Sequence, residues 1–139
     1  NGHTDRLIEK LDIKNNIRFH SGISKEEIVQ LYSKSSIAIV SSLYEGFGYP
    51  VIEAMACGVP LIATNTASIP ELVSNKALLV QPKNHIEIAS GINKIFNDYE
   101  RYKKNAIANI RYIKERFNWD AIASEYNKII CETITNFKK

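Results

Sequence analysis

A chain of 139 residues, 45% apolar and 24% charged, with six glycines and four prolines, has the composition of one folded domain and excludes disordered, collagen-like and mucin-like classes. Eighteen Lys and Arg against 15 Asp and Glu give a formal charge of +3, too mild a surplus for a dedicated nucleic-acid binder. No apolar run approaches the ~20 residues that a bilayer crossing needs, and the first residues carry no signal-peptide pattern.

In chain order, Asn1-Gly2 reads as the end of a turn that opens a helix carrying Leu7, Ile8 and Leu11. A parallel sheet supplies a strand before such a turn and none stands here, so the expectation is a fragment. Ile17–His20 is a short apolar run expected to be a strand. Ser24-Lys25-Glu26-Glu27 is a capping box opening a helix with Ile28, Leu31 and Tyr32 on one face. Ile37–Val40, Val59–Ala63 and Ala77–Val80 are three further apolar runs. They do not alternate, as expected of strands covered on both faces. Pro50 and Pro70 each mark a helix start between them. After Pro82, residues 85–97, 99–116 and 119–136 read as three successive helices. The pattern predicts an α/β domain: a Rossmann-like, doubly wound parallel sheet with a helical C-terminal segment.

Cys57, in the apolar run Ala54–Cys57, and Cys131 make neither a disulfide framework nor a Cys-x-x-Cys metal pattern. Cys57 is expected to be a reduced core residue in a cytoplasmic protein, with one long-range bridge as the alternative. The helix over 99–116 carries Arg101, Lys103, Lys104, Arg111, Lys114 and Arg116. That row reads as a solvated face or as a peripheral contact with a membrane or acidic partner.

The chemistry gathers in Ser41-Ser42-Leu43-Tyr44-Glu45-Gly46-Phe47-Gly48-Tyr49-Pro50-Val51-Ile52-Glu53. A buried strand ends, a Gly-containing loop follows and a helix begins. In open α/β sheets, ligands sit at such carboxyl ends of strands. Gly46 and Gly48 allow close backbone approach. The helix start, with Glu53 expected in its first turn, offers free amides and a dipole to a phosphate. A tight turn with local caps is the plain alternative. Two acids beside an anion site suit sugar and ribose hydroxyls, which donate to carboxylates while amides take phosphates.

The run from Glu45 to Pro60 resembles the EX7E signature of retaining GT-B glycosyltransferases of family 4, the glycosyltransferase group 1. Ile17–Gly22 with Ser24–Tyr32, Ile69–Val73, Leu78–Val80 with Pro82, and Phe117-Asn118-Trp119 extend the resemblance over nearly the whole chain. It implies that residues 1–139 are a single nucleotide-sugar-binding domain, the carboxyl-terminal half of such an enzyme. Glu45 would be the catalytic residue holding the transferred sugar. Gly46, Phe47, Gly48 and Tyr49 would contact sugar and diphosphate, Val51 and Glu53 the nucleotide and its ribose, and Gly22 and Ile23 the base. Ser21 stands where the family usually has Gly, and Tyr49 where Leu is commoner.

The partners implied are a nucleoside-diphosphate sugar and an amino-terminal acceptor-binding domain. Helix 119–137 would pack on that domain, and a basic pair for the diphosphate would precede residue 1. The fragment alone would turn over little or nothing. Polysaccharide or glycolipid synthesis on the inner membrane face is the implied setting. Asp-x-Asp is absent from the sequence, so no metal and no cofactor is expected. Two rival readings are a nucleotide-sugar epimerase half-domain and a non-catalytic nucleotide-binding module. Of the histidines, His20 is expected to be a hydrogen-bonded structural residue or a site liner, and His85 a cap neighbour.

Overall fold

The computed structural model describes residues 2–137. Three short strands, β1 (Ala38–Val40), β2 (Leu61–Thr64) and β3 (Leu78–Val80), form a parallel sheet in the order β1-β2-β3. Ile39 pairs with Ile62, and Ile62 with Leu78. Helices α1 (Gly2–Lys10) and α2 (Lys25–Lys34) precede the sheet. Helix α3 (Tyr49–Ala56) connects β1 to β2, and α4 (Ile69–Val73) connects β2 to β3. Helices α5 (His85–Asn97), α6 (Tyr99–Arg116) and α7 (Trp119–Phe137) follow. The three late helices match the sequence expectation within a residue. Their signals are local: Asn84 caps α5 by accepting from the Glu87 amide at 3.1 Å. Ser24 and Glu27 close the α2 capping box at 2.8 and 3.2 Å.

Both faces of the central strand β2 are covered, which explains its unalternating run, whereas at β1 only one face is covered. On one side Leu61 and Ala63 join Val51, Ala54 and Met55 of α3, Ile69, Leu72 and Val73 of α4, and Ile113 of α6. On the other, Ile62 and Val80 meet Ile95 of α5, with Ile88 and Ile92 packed around them. Helix α6 is fastened across the first face by long-range bonds to carbonyls. Lys103 Nζ reaches Gly58 O at 3.0 Å, Asn109 Nδ2 reaches Lys76 O at 3.0 Å, and Arg116 reaches Glu71 O at 2.8 Å.

These bonds and two ion pairs engage part of the basic row of α6. Arg101 pairs with Asp98 at 2.5 Å and Arg111 with Glu115 at 2.6 Å. With Lys103 and Arg116 also engaged, Lys104 and Lys114 are the cations of the row left without a partner among the described residues. Among the described residues two of the six cations meet a carboxylate, so the row keeps most of its positive charge.

One expected strand does not form. Ile17 has extended angles, φ −114° and ψ 135°, yet Ile17–His20 joins no ladder. An extended run becomes a strand only against a neighbour, and no strand lies beside it among the described residues. The outer edge of β1 is likewise unpaired there, leaving Ile39 44% exposed. Cys57 is half-buried against the core and Cys131 is exposed; both thiols are free, so the long-range bridge does not form. Helix α7 contains no buried residue.

Candidate functional site at the carboxyl ends of the strands

The loop leaving β1 rises at the carboxyl edge of the sheet and turns into α3 at Gly48. Gly48 is left-handed, φ 94° and ψ 47°, a conformation that costs other residues of order 1 kcal/mol or more. A Cβ there would also sit 2.9 Å from Leu72 Cδ1, so glycine is required twice over. The turn closes through Val51 N to Gly48 O at 3.0 Å. The amides of Gly46, Phe47, Gly48 and Tyr49 donate to no acceptor among the described residues. Pro50, at the second helical position, has no amide to satisfy. The result is a short row of free N–H groups at the positive end of a helix dipole.

Glu45 sits half-buried in this loop, and Ser42 Oγ donates to its Oε1 at 2.7 Å. The loop is tied to the segment leaving β2. Thr64 Oγ1 donates to Ser42 O at 2.6 Å and Thr66 Oγ1 to Leu43 O at 3.2 Å. Ser68 Oγ lies 3.0 Å from the carbonyls of both Glu45 and Phe47. Sequence reasoning missed these four hydroxyl residues. The available signal was a cluster of Ser and Thr at the carboxyl ends of two buried strands. Phe47 packs edge-on against Tyr49 at 5.0 Å and Phe117 at 6.0 Å. An exposed aromatic rim therefore flanks the free amides.

Glu53 is the fifth residue of α3, just past the first turn in which the sequence reading placed it. The structure starts the helix at Tyr49, and Glu53 is exposed on the side that faces α2. Its carboxylate adds to burial in raising the Tyr32 hydroxyl above its ordinary pKa. Burial and then Glu53 likewise push the Cys57 thiol up, against a hydrogen bond with Ser33 that lowers it. Tyr32 is anchored on α3 by its hydroxyl, 3.3 Å from Pro50 O. Val51 is fully buried, so it supports the loop from beneath and presents no surface of its own.

The structure does not place the expected base residues in one cavity with Glu45. Gly22 is exposed and left-handed at φ 65°. Ile23 lines a shallow groove of about 160 Å³ with His20, Glu27, Gln30, Leu31 and Lys34. A second groove, about 380 Å³, runs along β1 past Tyr32, Ile39, Ser42 and Pro50. His20 is exposed and has no hydrogen-bond partner among the described residues, which corrects its reading as a hydrogen-bonded structural histidine. His85 is the first residue of α5, beside the capping Asn84. Among the described residues no three His, Cys, Asp or Glu side chains gather as a metal site. No helix there is long and apolar enough to cross a membrane.

Known proteins share a similar sequence and architecture. The chain is 32% identical over 128 residues to the MMP alpha-(1->4)-mannosyltransferase of Mycolicibacterium hassiacum, covering 90% of this chain and 31% of that one. It superposes on Anabaena HepE in complex with UDP-glucose with a TM-score of 0.82 and 26% identity, over 97% of this chain and 36% of HepE. It also matches the C-terminal domain of the Francisella tularensis glycosyl transferase group 1 protein LpcC, with a TM-score of 0.73 and 26% identity, over 85% of this chain and 62% of that one. The chain thus spans about a third of the length of the first two. The sequence model of the glycosyl transferases group 1 matches residues 3–112, and the chain belongs to that family.

Proposed function

We propose that the chain is the donor-binding half of a retaining glycosyltransferase, moving a hexose from a nucleoside-diphosphate sugar to an acceptor in polysaccharide or glycolipid synthesis at the cytoplasmic membrane face. One observation carries this reading: the Glu45 carboxylate stands beside four unpartnered amides, Gly46 to Tyr49, at a strand's carboxyl end. Amides and helix dipole suit the diphosphate, and the carboxylate suits hydroxyls of the sugar. As the bond to the leaving diphosphate breaks, negative charge grows on its oxygens. Donors fixed before the reaction stabilise that charge without reorganising. Glu45 orients the sugar, Glu53 accepts from the ribose hydroxyls, and the turn at Gly22 and Ile23 borders the base.

The diphosphate is held without a metal in this reading. The acceptor is supplied by an amino-terminal domain, on which α7 packs. Its exposed Trp119, Tyr126, Ile130 and Phe137 support that docking.

Calorimetric titration with UDP, GDP and ADP, with and without magnesium, tests the reading. One nucleotide is expected to bind in the high-micromolar to millimolar range, roughly 4–6 kcal/mol, independently of magnesium. Glu53→Gln is expected to weaken it by about 1–3 kcal/mol. No saturable binding of any of the three overturns the chain as a donor site. An unchanged affinity in the variant removes Glu53 from the ribose.

A further inference from the structure

The donor loop is held by hydroxyls from a different strand, and this arrangement has a directional logic. Thr64 is 1% exposed, at the last position of β2, and its hydroxyl donates to the carbonyl of Ser42 at 2.6 Å. Ser42 in turn donates its own hydroxyl to Glu45 Oε1 at 2.7 Å. Ser68 clasps the carbonyls of Glu45 and Phe47 from the β2–α4 segment. A chain of donors therefore runs from the buried sheet to one oxygen of the site carboxylate. The loop it restrains carries amides with no acceptor among the described residues.

We infer that Ser42 is a positioning residue that fixes the Glu45 carboxylate for the donor sugar, and that Thr64 and Ser68 hold the loop that carries both. The inference rests on the reading of Glu45 as the sugar-binding group. Physically, the Ser42 bond occupies Oε1 and leaves Oε2 as the free acceptor. It also restricts a flexible side chain before ligand arrives, so less conformational entropy is lost on binding. Nothing in this logic involves the nucleotide, which fixes what an experiment must separate.

The test measures affinity of the 139-residue chain for UDP-glucose and for UDP, and for GDP-mannose and GDP, in four proteins: wild type, Ser42→Ala, Ser42→Thr and Glu45→Gln. Three-bond couplings of the Glu45 side chain are recorded by NMR without ligand. The expected result for Ser42→Ala is a loss of about three- to tenfold in sugar-nucleotide affinity, the worth of one hydrogen bond. Affinity for the parent nucleoside diphosphate is expected to be unchanged, and Ser42→Thr restores the sugar nucleotide. The Glu45 couplings should move from one rotamer to an average in Ser42→Ala alone.

A Glu45→Gln loss with no Ser42→Ala loss overturns the positioning role and leaves the function standing. If Glu45→Gln changes nothing, or the wild type binds no sugar nucleotide, the functional reading fails instead. In that case the couplings still judge the Ser42 contact: an unaveraged Glu45 in Ser42→Ala overturns it. Equal losses for sugar nucleotide and nucleoside diphosphate would show Ser42 merely maintaining the loop.

Discussion

Helices α3 and α7 both carry apolar stripes, and the molecule treats them oppositely. In α3, Val51, Ala54 and Met55 are buried to within a per cent of completely, closed over by α4 and α6. In α7 no residue is buried, with Trp119 at 79% and Phe137 at 89% exposed. The stripe of α3 is completed inside the chain, and with it the loop that precedes the helix. The stripe of α7 finds no cover among the described residues. An apolar period alone thus specifies a helix and a sticky face, whereas long-range packing decides whether that face becomes core.

Substitutions should separate the two helices sharply. Met55→Ala leaves a cavity in a well-packed face and is expected to lower unfolding free energy by about 2–5 kcal/mol in a denaturant titration. Ile130→Ala on α7 should stay within about 0.5 kcal/mol. Similar losses would mean that α7 is packed in solution.

Within the α3 side, Gly48→Ala should cost about 1–3 kcal/mol by thermal unfolding, from backbone strain and the approach to Leu72. Gly46→Ala meets nothing within 4 Å and should leave stability near wild type. Thr64→Val keeps the shape and removes the bond to Ser42 O, with an expected loss of about 1 kcal/mol. Thr64→Ser should recover most of it.

The smallest effect probes Glu53. The Cys57 thiol is held above its ordinary pKa by burial and by the Glu53 charge, both of which disfavour thiolate. Removing that charge must lower the thiol pKa and raise the reactive fraction at a given pH. In a Cys131→Ser background, Glu53→Gln is expected to speed alkylation of Cys57 at pH 8. A slower or unchanged rate would place the Glu53 carboxylate away from the Cys57 thiol.

Much of this was legible from local pattern. Helices α5 to α7 follow from apolar period and from caps such as Asn84, which act within a few residues. The unalternating run of β2 announced a strand covered on both faces, and the resemblance of Glu45–Pro60 to the EX7E signature marked the candidate site segment. What the sequence hid is what distance in the chain creates. Ile17–His20 has strand composition but no neighbour to pair with among the described residues. The bonds from Thr64 and Ser68 to the Glu45 loop span more than twenty residues and exist because β1 and β2 are in parallel register. Glu53 lies one residue deeper in the helix than expected, just past the first turn, because the helix starts at Tyr49 and not at Pro50.

Locating the ligand directly tests the claim that the donor binds at the carboxyl ends of the strands. In a titration of the 15N-labelled chain with UDP-glucose and GDP-mannose, followed amide by amide, the account predicts shifts concentrated at Gly46 to Tyr49, Glu53 and the Gly22–Ile23 turn. Shifts centred instead on the groove of about 390 Å³ at the opposite ends of β2 and β3, around Asn75, Asn105 and Asn109, would contradict it.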